Sequence, residues 1–113
     1  MFYAIEVNNG QRADRVVEFS ARRLRDAWIA DGRTREKLSA RDTRVRGAFG
    51  LEDGDGEAWH AIADARVRQS AVLRRHVAAI DADWSETDHY RWVATAPERE
   101  IVRWAEDIES YAE

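Results

Sequence analysis

The chain has 113 residues, of which 44% are apolar and 35% charged, with five Trp and no cysteine. That length suits one domain, residues 1–113, around one core, and the composition is that of a globular rather than a disordered chain. The lack of cysteine excludes a disulfide framework, a thiolate nucleophile and a cysteine metal site.

The net charge of −4 is spread unevenly. Residues 11–50 carry eleven Lys or Arg against six Asp or Glu, and residues 51–113 carry seven against fifteen. Such a split gives either a basic face for an anion beside an acidic face for a cationic partner, or two halves that neutralise each other within one fold. Nothing near Met1 reads as a signal peptide and no apolar run is long enough for a membrane span, so the expected compartment is the cytoplasm and no membrane partner is expected.

Residues 2–8 alternate, with Phe2, Ala4 and Glu6 on one side and Tyr3, Ile5 and Val7 on the other, which predicts a half-buried strand. Asn9-Gly10 is a hairpin signal, because both residues tolerate positive φ. Residues 14–19 are rich in β-formers and return antiparallel. Ser20 is placed to cap a helix over about 20–31, with Leu24, Ala27 and Trp28 as its apolar stripe and Gly32 as a left-handed stop. A second helix over about 35–48 starts at Thr34 or at Ser39, where Ser39 and Asp42 have capping-box spacing. Its stripe is Leu38, Val45 and Phe49.

This first half resembles small uncharacterised proteins of bacterial prophages and plasmids. They open with a strand of the type Tyr3 to Glu6. They continue with a phenylalanine like Phe19 and a helix containing the Asp26-Ala27-Trp28 step, then Arg35-Glu36 and Ser39-Ala40-Arg41. The resemblance implies a mobile-element setting and carries no activity to any residue.

Residues 50–57 read as a loop. Asp53, Asp55 and Glu57 alternate as calcium ligands can, but the position that needs glycine for the sharp turn is Ala58, and Asp55 serves equally as a helix cap. A helical pattern then runs over about 56–82, with Trp59, Ile62, Ala63, Leu73, Val77, Ile80 and Trp84 on one face. It is either continuous or broken near Gln69-Ser70, and one long helix is the preferred form. Residues 88–94 alternate again and predict a third strand. Thr95 and Glu98 form a capping box around Pro97 for a last helix over about 96–111, with Ile101, Trp104, Ala105, Ile108 and Ala112 buried. The fold class is therefore α+β: a small three-stranded antiparallel sheet covered by helices.

Catalytic chemistry finds little support. His60 and Asp64 sit one helical turn apart, but two ligands make no metal site and a surface ion pair accounts for them. His89 is expected exposed on the third strand. No serine lies in a nucleophile elbow, and no glycine-rich phosphate loop occurs. No enzyme, cofactor or metal is expected.

Protein binding fits more of the residues. Trp and Arg are enriched at interface hot spots, and Trp28 and Trp92 are the tryptophans a small core is least able to bury. With the mobile-element resemblance, this suggests a non-enzymatic module that binds a host protein or protein–nucleic-acid complex, in its sharpest form a counter-defence inhibitor of the anti-CRISPR type. Carboxylates at Glu52, Asp53 and Asp55, and at Asp81, Asp83, Glu86 and Asp88, would then replace phosphates in a basic channel. The alternative is a nucleic-acid-binding protein using Arg22, Arg25, Arg33, Arg35 and Arg41. Local pairs such as Arg22 with Asp26 would account for the same arginines without a ligand.

Overall fold

The alternation of Phe2–Glu6 is realised as a strand, β1, and that of Arg15–Phe19 as its partner, β2. They pair antiparallel, with Phe2 opposite Phe19 and Glu6 opposite Arg15. The computed structural model describes residues 1–7, 14–48, 50–82 and 87–111. The hairpin signal Asn9-Gly10 lies outside them, as do Phe49, Trp84 and Ala112. The described residues fall into two units, Met1–Ala58 and Trp59–Glu113.

In the first unit a helix, α1 (Arg22–Ala30), follows β2, and Leu24 and Trp28 are its buried residues. Phe2, Ala4, Val17 and Phe19 share one face of the sheet through the β1–β2 register. Trp28 meets that face, its ring centroid 5.5 Å from that of Phe19. Burying a side chain such as Phe19 stabilises by roughly 1.5–3 kcal/mol. Trp28, expected as a candidate for exposure, is instead 1% exposed, with its indole N–H buried and without a hydrogen-bond partner among the described residues.

Two expectations about α1 are corrected. Ser20 does not cap it: the cap position is Ala21, with no side-chain bond, and the Ser20 amide donates to Asp55 Oδ1 at 2.9 Å. Gly32 is not a left-handed stop, since the only described residue with positive φ is Gly50. A Cβ on Gly32 would instead collide with the side chain of Arg35.

The expected helix over 35–48 is mostly replaced. Arg35–Leu38 forms a strand, β3, antiparallel to β1, with Tyr3 opposite Leu38 and Glu6 opposite Arg35. The free hydrogen-bonding edge of β1 and the burial of Leu38 outweigh the high intrinsic helix propensity of Arg-Glu-Lys-Leu, a local preference that tertiary pairing overrides. One helical turn, α2 (Thr43–Arg46), remains, capped by Asp42, whose Oδ1 accepts from the Arg44 amide. The 50–57 loop contributes a further two-residue strand, β4 (Glu52–Asp53), parallel to β2. Among the described residues the sheet thus has four strands of mixed direction, in the order β3-β1-β2-β4. Gly54 is required beside it, because a Cβ there would meet the side chains of Val17 and Phe19.

The chain passes into the second unit within α3 (Asp55–Gln69). The long helix expected over 56–82 is broken into α3, α4 (Ala71–Arg74) and α5 (Val77–Asp81). Ser70 leaves helical geometry at φ −106°, ψ 116°, and its hydroxyl accepts from the Leu73 amide, so the break is a capped restart. Val77, expected on the buried face, is 42% exposed as a result.

Residues 88–94 are not a strand. They lie in a helix, α6 (Thr87–Thr95), and the final helix is α7 (Glu98–Tyr111). A short aromatic run satisfies both periods, and helical spacing is what buries Val93 while bringing Trp92 against Trp104 of α7, centroids 5.5 Å apart. Thr95 bonds back to the Arg91 carbonyl within α6 instead of capping α7. The core of this unit is Ala63, Val67, Leu73, Ile80, Val93, Ala96 and Ile101. No helix among the described residues is long and apolar enough to cross a membrane.

Candidate functional site

The pairing of β1 with both neighbours sets Arg35, Glu6 and Arg15 in one row across the sheet. Glu6 accepts from Arg35 Nε at 2.7 Å and from Arg15 Nη1 at 3.2 Å. Arg15 continues the row to Glu52 at 2.8 Å and to Glu57 at 3.0 Å. At its other end, Arg35 donates to the Trp28 carbonyl at 2.6 Å and lies over the Trp28 ring at 4.0 Å. Arg35 thereby satisfies a last-turn carbonyl of α1 and sits where a helix end favours a cation. The guanidinium of Arg35, then that of Arg15, holds the Glu6 carboxyl below the usual carboxylate range.

This row changes the standing of the acidic residues singled out from sequence. Glu52 binds Arg15, Asp53 accepts from the Asp55 amide, and Asp55 accepts from Ser20. All three hold the fold together. Asp81, at the end of α5, and Asp88, in the first turn of α6, are exposed. Asp83 and Glu86 lie outside the described residues.

The arginines divide as well. Arg22 and Arg25 of α1 join Lys37 of β3 around an open cleft of about 620 Å³, which Asp26, Leu38 and Ser39 complete. Both guanidinium carbons lie over the Phe2 ring, at 5.7 Å for Arg22 and 5.5 Å for Arg25. The expected pair of Arg22 with Asp26 does not form; Asp26 binds Arg25 at 3.0 Å. Arg33 and Arg35 line a smaller cleft of about 290 Å³ with Val7, Thr34 and Glu36. Arg41 is exposed and lines neither.

Lys37 was expected only on the basic outer face of a helix and Ser39 only as a helix cap, because residues 35–48 were expected to be helical; neither was expected beside Arg22 and Arg25. As a strand, Arg35 and Lys37 fall on one face, and the turn after Leu38 brings Ser39 to the cleft. The signal was the polar alternation around Leu38, too short to decide between periods.

The first turn of α1 contains Arg22 and Arg23, has no acidic residue and has no side-chain cap. Cations at the positive end of a helix are unfavourable unless an anion accompanies them. Two guanidinium groups and an ammonium in one cleft suit a multi-oxygen anion, since guanidinium can bind phosphate through two parallel hydrogen bonds.

The histidines take other partners. Asp64, the expected neighbour of His60, pairs with Arg68 at 3.0 Å, while His60 meets Tyr90 edge-on at 4.8 Å. His89 is not exposed on a strand: its Nε2 lies 3.0 Å from the Ile80 carbonyl and its ring 5.1 Å from that of Trp104. Trp92 is half-buried in the same cluster. Among the described residues no group of three His, Asp or Glu is arranged to hold a metal ion.

No family model matches the chain, and neither a curated protein nor a solved structure does.

Proposed function

We propose that the protein is a non-catalytic binding module that acts in the cytoplasm and engages nucleic acid through the basic face of residues 1–58, in the mobile-element setting that the sequence resemblance implies. The observation that carries this is the convergence of Arg22, Arg25 and Lys37, from α1 and β3, on one open cleft. Arg22 and Lys37 make no ion pair with a described carboxylate, so their charge is available to phosphates. Ser39 adds a hydroxyl donor to that cleft, and Arg33 lines the second, smaller one.

Binding of this kind is electrostatic and steeply salt-dependent. Fluorescence anisotropy with labelled single-stranded and duplex DNA tests it across a salt series. Arg22→Ala combined with Lys37→Ala is expected to weaken binding uniformly across sequences and to reduce the salt slope by about two.

A second reading, the anti-CRISPR type inhibitor, draws support from one observation. Residues 59–113 carry eleven acidic and seven basic side chains, and α7 exposes Glu98, Glu100, Glu106, Asp107 and Glu109. If the double variant binds DNA as well as the parent does, or if no DNA binds at all, the function moves to this acidic surface and a host protein partner.

A further inference from the structure

We infer that Asp26 is an internal stand-in for the phosphate group that the cleft receives, and that a ligand must displace it from Arg25. The identity of the ligand as nucleic acid rests on the reading above; the displacement rests on the cleft alone.

Asp26 Oδ1 accepts from both Nε and Nη2 of Arg25, each at 3.0 Å. One carboxylate oxygen therefore takes the donor edge that a phosphate would use. The two residues are adjacent in α1, and adjacent positions on a helix do not face each other. The contact exists because the side chains lean together along the cleft wall, and it lacks the axial stacking that makes a helical ion pair persist.

The two members of the pair differ in freedom. The Arg25 side chain is 13% exposed and lies over Phe2, whereas that of Asp26 is 56% exposed. Arg25 is the fixed member and Asp26 the movable one. When Asp26 swings into solvent, Arg25 presents its donor edge into the cleft that Arg22 and Lys37 also line. A phosphate offers more acceptor oxygens than a carboxylate and can bridge Arg25 to either neighbour. Exposed carboxylate–guanidinium pairs are weakly held, so the exchange lies within reach of a modest ligand. Asp26 thus sets the affinity of the site: it neutralises Arg25 when the cleft is empty and competes for it when a ligand arrives.

The test compares the parent with Asp26→Asn, Asp31→Asn and the Arg22→Ala, Lys37→Ala double variant, using a fluorescein-labelled DNA oligonucleotide over a salt series. Asp31 follows α1, is exposed and does not line the cleft, so its variant removes the same charge elsewhere. Asp26→Asn is expected to bind roughly threefold to tenfold tighter. Its salt slope should steepen by about one, because Arg25 then enters the complex with a counter-ion instead of a carboxylate. Asp31→Asn should change affinity less and leave the slope alone. If Asp26→Asn matches Asp31→Asn or binds more weakly, while the double variant still loses binding, the role of Asp26 is overturned and the nucleic-acid reading stands.

A second arm titrates pyrophosphate and follows the Arg25 Nε–H resonance. If no variant binds DNA, the nucleic-acid reading falls. Tighter pyrophosphate binding by Asp26→Asn than by the parent would then still uphold the displacement. No shift in either protein would overturn that too.

Discussion

Residues 1–58 carry eleven basic and eleven acidic side chains and tie several of them into a row across the sheet, from Arg35 through Glu6 and Arg15 to Glu52 and Glu57. Residues 59–113 carry seven basic and eleven acidic side chains and build their core from Ala63, Val67, Leu73, Ile80, Val93 and Ile101. In the first unit charge is structural, and the cations left over define a site. In the second, aliphatic packing carries the structure, and charge stays mostly on outward helix faces. The charge split seen along the sequence is therefore partly undone by folding. The acidic segment 52–57 belongs to the first unit and offsets the basic excess of residues 11–50, in part through Arg15.

The largest expected effect lies in the second unit. Ile101→Ala removes a fully buried side chain and should cost about 2–5 kcal/mol in urea denaturation, with faster amide exchange in α7. A cost below about 1 kcal/mol would mean that aliphatic packing does not dominate there. Next comes Arg35→Ala, which deletes the bonds to Glu6 and to the Trp28 carbonyl together with the stacking on Trp28. It should cost about 2 kcal/mol, and Arg35→Lys should recover only part, because an ammonium cannot reproduce the fork.

The smallest effect is a pH dependence confined to the first unit. Glu6 has a lowered pKa in the fold, so its contribution is present above the unfolded value of about 4.3 and is lost as pH falls through the folded value. Solvent screening keeps it under about 1 kcal/mol. Glu6→Gln should flatten that part of the acid unfolding curve, and an unchanged curve would remove Glu6 from the account.

The α+β class, the β1–β2 pairing, α1 and the Ile101–Ala105 stripe of α7 were legible because each rests on a local period. What was not legible depends on partners distant in sequence. Arg35–Leu38 is a strand because β1 has an edge to fill, and no four-residue window states that. The run from His89 to Val93 fits period 2 and period 3.6 alike, and only Trp104 and the rest of the helical core decide it. Glu52–Asp53 is too short to leave a pattern. The cationic cleft was half legible: Arg22 and Arg25 stand out in the sequence, whereas Lys37 and Ser39 reach them only once β3 exists.

The two outer strands of the sheet have a consequence apart from ligands and ion pairs. An exposed strand edge is a template on which other chains can add, and long apolar edges aggregate. Here one edge is β3, with Glu36 and Lys37 exposed and Arg35 half-buried, and the other is β4, two residues long and wholly acidic. A charged edge and a very short one both resist extension by a further strand, so the sheet is guarded against growing from chain to chain.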